Sequence, residues 1–210
     1  MTTSNHVIGL FPTAFMRCEG LADSALVAAL MGQAMAGELA PNAQSDQLLH
    51  SQLLQAKGND VLELLVKLLQ PKLAEFGELL FGERLPWIVK ELWLNRLQPG
   101  GYQAMHNHAN SFVSGVLYLT HSHPSANTVF MKGPGGRDFA FVNTHAGTSQ
   151  GPFNADKWVS PDPSPGDLVL FPSYLLHEVP RNLGGLRISL AFNAVPQRLD
   201  SWGYGLGFAR

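Results

Sequence analysis

Apolar positions change their spacing once along this 210-residue chain, near Pro86. Before Pro86 they recur every three or four residues. Asp23 to Leu39 (DSALVAALMGQAMAGEL) has Ala, Leu and Met at helical spacing. Asp23 or Ser24 can cap its start, and Pro41 stops it. Asn59 to Leu80 (NDVLELLVKLLQPKLAEFGELL) is the stronger amphipathic helix, and Pro71 inside it predicts a kink or a split. Val7 to Phe15 reads as an edge strand, the one place in a sheet where Pro12 is tolerated. Pro41 to Leu48 reads as polar loop, and Leu48 to Ala56 as weakly helical or irregular.

After Pro86 the runs shorten and turn signals separate them. Ile88 to Leu97 opens a series of strands. Breaks follow at Pro99-Gly100-Gly101, Gly133-Pro134-Gly135-Gly136, Pro161 to Gly166 and Gly184-Gly185. Short strands punctuated this way argue for an antiparallel barrel or sandwich. A sheet with an apolar outer face needs a cover. The expectation is therefore one domain, 1–210, of mainly β, α+β class. Its mainly helical part, 1–86, covers a barrel formed by 87–210. Pro124 to Pro163 reads as long loops around one short strand, Phe139 to Val142, of the kind that often carry function at a barrel mouth.

Composition narrows the classes. Hydrophobic content of 45% with 14% charged residues fits a chain with a full core. A net charge of −2 and no Lys/Arg cluster remove the electrostatic case for nucleic acid. A single cysteine, Cys18, allows no internal disulfide and suits a reducing compartment. The first residues lack a basic stretch followed by an apolar run, and no segment reaches the roughly 18–20 apolar residues of a membrane span. A cytoplasmic protein is expected.

The chemistry concentrates in two stretches. In Leu186 to Asn193, Leu186, Ile188, Leu190 and Phe192 share one strand face, and Arg187, Ser189, Ala191 and Asn193 the other. If the apolar face meets the helices, Arg187 points into the barrel, where a guanidinium is costly unless a carboxylate or phosphate meets it. His177 lies ten residues earlier. A hairpin centred near Asn182 would set His177 and Arg187 opposite each other on paired strands. In the second stretch, His106 and His108 leave one strand face together. Three imidazoles, His106, His108 and His177, thus form a candidate metal site, with Arg187 and Ser189 anchoring a small dicarboxylate beside it. Alone, Arg187 could instead pair with Glu178 or Asp167. His121-Ser122-His123 is a competing pair, and His145 lies in a loop. Tyr118 reaches the far carboxylate if it faces inward and is otherwise a core aromatic; Asn95 shares a strand face with Trp93 and Leu97, where a local hydrogen bond is its other reading. Trp93, Phe112, Phe171 and Tyr174 are candidates for pocket lining or core.

These residues resemble the double-stranded β-helix (jelly-roll) oxygenases that use Fe(II) and 2-oxoglutarate, most of all a small bacterial and phage branch. The matching motifs are His106-Asn107-His108, Ser114 to Leu119 (SGVLYL), Phe171 to Val179 (FPSYLLHEV) and Arg187 to Asn193, within Trp93 to Asn193. The resemblance implies that His106 and His177 are iron ligands and that Arg187 and Ser189 hold the far carboxylate of 2-oxoglutarate. Tyr118 and Asn95 would contact the same cosubstrate. Leu97 stands where many relatives have Tyr. Small-molecule or peptide substrates with O₂ are implied, without nucleic acid or membrane, and a homodimer is compatible. The departure is His108, where the usual triad has a carboxylate. Glu178 points away from His177 and does not replace it. Two other readings stay open: a three-His cupin-type enzyme without 2-oxoglutarate, which gives Arg187 no role, and a non-enzymatic barrel that binds a small acid.

Overall fold

A computed structural model describes residues 6–42, 45–133, 143 and 145–208. In chain order the elements are β1 (Met16–Cys18), α1 (Ser24–Ala36), β2 (Leu39–Pro41), β3 (Ser45–Ser51), α2 (Asp60–Phe81), β4 (Trp87–His106), β5 (Val113–Tyr118), β6 (Val129–Met131), β7 (Lys157–Val159), β8 (Leu168–Pro172), β9 (His177–Val179), β10 (Arg187–Pro196), β11 (Arg198–Ser201) and β12 (Tyr204–Gly207).

Strands β1 to β10 form one curled antiparallel sheet, ordered β1-β8-β5-β10-β4-β9-β6-β7, with β3 also on β4 and β2 on β3. The curl is centred on β4. Its first half, Trp87 to Leu97, pairs with β10, and its second half pairs with β9 at Gln103 and His106. One strand therefore serves both walls of a jelly-roll barrel. The Pro99-Gly100-Gly101 signal marks this passage and not a turn. Gly100 takes φ +83°, and a Cβ on Gly101 would stand 2.9 Å from the Asp46 carbonyl of β3.

Both helices pack on the outer face. Asp23 caps α1 through Leu26 N–H, and Asn59 caps α2 through Leu62 N–H. Leu62, Leu65, Leu69, Leu73 and Phe76 line one side of α2 and share a core with Leu30, Leu92, Leu94, Leu117 and the outward residues Ile188, Leu190 and Phe192 of β10. Gly115 lets this core close. It lies opposite Phe192, and a Cβ there would fall 2.3 Å from the Phe192 ring. No described helix is long and apolar enough to cross a membrane.

Several expectations are corrected. The N-terminal edge strand is Met16–Cys18, just after Val7 to Phe15, because pairing with β8 starts only at Met16. The stretch from Pro41 to Ala56 holds the end of β2 and all of β3; tertiary pairing with β4 overrides its polar, irregular composition. Pro71 does not split α2, which runs unbroken from Asp60 to Phe81. Strands β6 and β7, within the stretch read as loops, and the hairpin β11–β12 add to the expected set. Phe139 to Val142 lies outside the described residues.

Candidate metal and cosubstrate site

The interior face of the barrel is built in rows. Across β4, β10 and β5, the register sets Asn95 opposite Ser189 and Ser189 opposite Tyr118. Arg187 begins β10, opposite Leu97. All four polar side chains are buried, and Ile188, Leu190 and Phe192 pack with the helices on the opposite face, so β10 does turn Arg187 and Ser189 inward as its alternation predicted. The expected hairpin pairing does not exist. His177 on β9 pairs with His106 of β4 and Phe130 of β6, while Arg187 on β10 pairs with β4 and not with β9. Strand β4 stands between them, so the two residues line one interior from different walls.

Arg187 is 5% exposed, and its Nε makes no hydrogen bond. Among the described residues it has no carboxylate partner. Asp167 is committed elsewhere: it accepts from Arg17 Nη2 at 2.7 Å and from the N–H groups of Gly20 and Ser164. Glu178 follows His177 on β9 and faces the other way. The Arg187 guanidinium lies over the Tyr118 ring, and the Tyr118 hydroxyl is 3.4 Å from Thr128 Oγ1.

His106, His108 and His177 converge, with a ligating nitrogen from each within 4.8 Å of the others. No second such group occurs among the described residues. His106 Nδ1 lies 2.8 Å from the Ala104 carbonyl, and His177 Nδ1 lies 2.8 Å from the Leu175 carbonyl. A carbonyl only accepts, so Nδ1 carries the proton in both rings and Nε2 keeps its lone pair. On His106 that lone pair meets the Gln103 amide at 3.3 Å. Burial, and then the neighbouring His106, push His108 down to about 4 and His177 down to about 3; burial also lowers His106. All three imidazoles are neutral at neutral pH, the form that binds a metal.

Phe171 and Phe130 flank His177, with ring centres 4.8 and 5.8 Å away. Trp93 approaches His108 at 5.8 Å. Of the other lining candidates, Phe112 instead joins the outer core beside Phe81, and Tyr174 is exposed. His123 is used locally with Ser125, and His145 caps its own turn at Gly147. Thr128, Phe130 and Gln103 went unnoticed in the sequence. Their places depend on which strand lies beside which, and no local pattern marks them.

A jelly-roll barrel with three converging imidazoles and an interior arginine that has no carboxylate partner among the described residues has the donor types a metal and an anion require. Residues 91–193 match the family described as "Putative 2OG-Fe(II) oxygenase". This match assigns residues 91–193 to the 2-oxoglutarate- and Fe(II)-dependent oxygenases. No curated protein matches the chain by sequence. Among solved structures, HygX from Streptomyces hygroscopicus with nickel and 2-oxoglutarate bound is 16% identical, with 88% of this chain and 83% of that chain covered and a TM-score of 0.64. A Pseudomonas putida prolyl-4-hydroxylase is 22% identical, with 86% and 92% covered and a TM-score of 0.58. The 2-oxoglutarate-dependent epimerase SnoN from nogalamycin biosynthesis is 15% identical, with 89% and 80% covered and a TM-score of 0.63.

Proposed function

We propose that this oxygenase holds Fe(II) on His106, His108 and His177, and 2-oxoglutarate by its far carboxylate on Arg187. Ser189, Tyr118 and Asn95 complete that anion pocket. The observation that carries the reading is Arg187, a buried guanidinium without a carboxylate partner among the described residues, in the same interior as three converging imidazoles. The donor sets fit both groups. Neutral imidazole suits iron, and a forked guanidinium suits a carboxylate. With three neutral ligands the metal keeps its full charge, which the cosubstrate dianion offsets.

The bound iron, with 2-oxoglutarate and O₂, supplies oxidation of an unactivated C–H bond. The chain's own residues do the rest. The Ala104 and Leu175 carbonyls hold the His106 and His177 rings in one tautomer. Phe130, Phe171 and Tyr118 keep water from the pocket between the metal and Arg187. The substrate class is a small molecule or a protein side chain.

Anaerobic titration of metal-free protein with Fe(II) and then 2-oxoglutarate tests this. A visible charge-transfer band that Arg187→Met removes is the expected result. Tight zinc binding with no band, in wild type and variant alike, would favour a three-His enzyme without 2-oxoglutarate.

A further inference from the structure

A second polar chain crosses the interior face, away from Arg187. The Ser173 and Ser114 hydroxyls are 2.9 Å apart. Ser114 Oγ donates to Asn193 Oδ1 at 2.8 Å, and Asn193 Nδ2 donates to Glu91 Oε2 at 2.7 Å. Ser114 thus accepts from Ser173, and every link points toward the Glu91 carboxylate. Ser114, Ser173 and Asn193 are fully buried. A buried chain of this kind is costly unless complete, and this one is complete. The row Trp93–Ala191–Val116 and then the row Asn95–Ser189–Tyr118 separate it from Arg187, so the cosubstrate does not account for it.

The chain and its end meet the segment that carries His108. His108 N–H donates to the Ser173 carbonyl at 2.9 Å. Lys90 Nζ, 3.0 Å from Glu91 Oε1, also donates to the carbonyl of Asn110, which takes the left-handed φ of +57°. Trp93, two residues from Glu91 on the same strand face, packs its ring against His108.

His108 stands where comparable iron sites carry a carboxylate. We propose that Glu91 is the positioning residue for His108, the carboxylate that ends the buried hydrogen-bond chain and holds Lys90 on the Asn110 carbonyl, so that the segment carrying the imidazole is fixed from both sides. This rests on the three-His reading of the metal site. Glu91→Gln would lose the Lys90 ion pair and the charge-assisted bond from Asn193, and outer partners that fix ligating imidazoles characteristically set metal affinity.

Co(II) titration of metal-free wild type, Glu91→Gln, Glu91→Asp and His108→Ala tests the proposal, with the visible Co(II) spectrum reporting the ligand field. Urea unfolding of the metal-free variants checks the fold; Glu91 is half-exposed, and Gln keeps its shape. The expected result for Glu91→Gln is a loss of affinity of about tenfold or more with a shifted spectrum, since outer partners are worth ~10–100-fold. Glu91→Asp should recover most of it. Wild-type affinity and spectrum in Glu91→Gln, or equal loss in Gln and Asp, would overturn the role of Glu91 while leaving the metal site standing. Wild type that ignores Co(II), or is indifferent to His108→Ala, would remove the metal site itself and this inference with it.

Discussion

The Arg187 guanidinium carbon lies 5.2 Å from the centre of the Tyr118 ring, and both side chains are buried. The ring face partly offsets the desolvated charge, yet such a contact is worth only about 2 kcal/mol when buried. On the proposed reading, the far carboxylate of 2-oxoglutarate supplies the rest. Arg187→Met should lower 2-oxoglutarate affinity of the metal-loaded protein by about 2–5 kcal/mol, the range for truncating one partner of a buried charge pair. Tyr118→Phe keeps the ring and removes one hydroxyl, so about 0.5–1.5 kcal/mol is expected. Calorimetry measures both, and equal losses would mean that the guanidinium is not the anchor.

Loss of a ligating imidazole should cost more than the ~10–100-fold typical of an outer partner. His106→Ala, His108→Ala and His177→Ala should each pass that mark in a metal titration. His121→Ala, in the competing H-x-H pair, should match wild type. A large effect from His121 would move the metal site to the other pair.

Asp167 gives a pH signature remote from the site. Burial works against its charge, but hydrogen bonds from Ser164 and Gly20 and the Arg17 ion pair outweigh burial and hold its carboxyl below the usual range. The folded state therefore binds the proton less well than the unfolded chain does. The resulting stability is fully present above the ordinary carboxylate pKa of about 3.9 and is lost as pH falls through the lower folded value. Asp167→Asn should lower the urea midpoint at pH 7 and narrow its difference from wild type below pH 3. A constant difference across that range would contradict the linkage.

Gly115→Ala should destabilise by about 1–3 kcal/mol, the usual cost of overpacking, because its new methyl would meet both the Phe192 ring and Leu170. Chemical denaturation reads this directly. Metal affinity per folded molecule should stay unchanged, since the clash is on the outer, helix-covered face.

Much of the site was legible because strand alternation alone sorts side chains between faces. It turned Arg187 and Ser189 inward and set Ile188, Leu190 and Phe192 against the helices; His108, expected on the same strand as His106, lies just past the end of β4 and still converges with it. What failed was pairing. The ten-residue spacing of His177 and Arg187 suggested a hairpin, but their strands flank β4, a partner more than seventy residues earlier in the chain. Glycine and proline misled for a related reason. Pro99-Gly100-Gly101 has the composition of a turn, yet its extended neighbours are held by β3 and β9, so the chain bends without reversing. Glu91 was equally hard to find. It is in phase with Trp93 and Asn95, but its contact with Asn193 spans 102 positions.

The single strand β4 has a consequence for cosubstrate length. It carries the partner of Arg187, Leu97, and then His106 itself. With Arg187 as the proposed anion anchor and His106 as a proposed metal ligand, the gap between the two would be gauged along one covalent path, as on a ruler, and not left to the docking of separate pieces. Adding or removing a residue between Leu97 and His106 would reset that gauge and turn His106 out of the barrel in the same stroke.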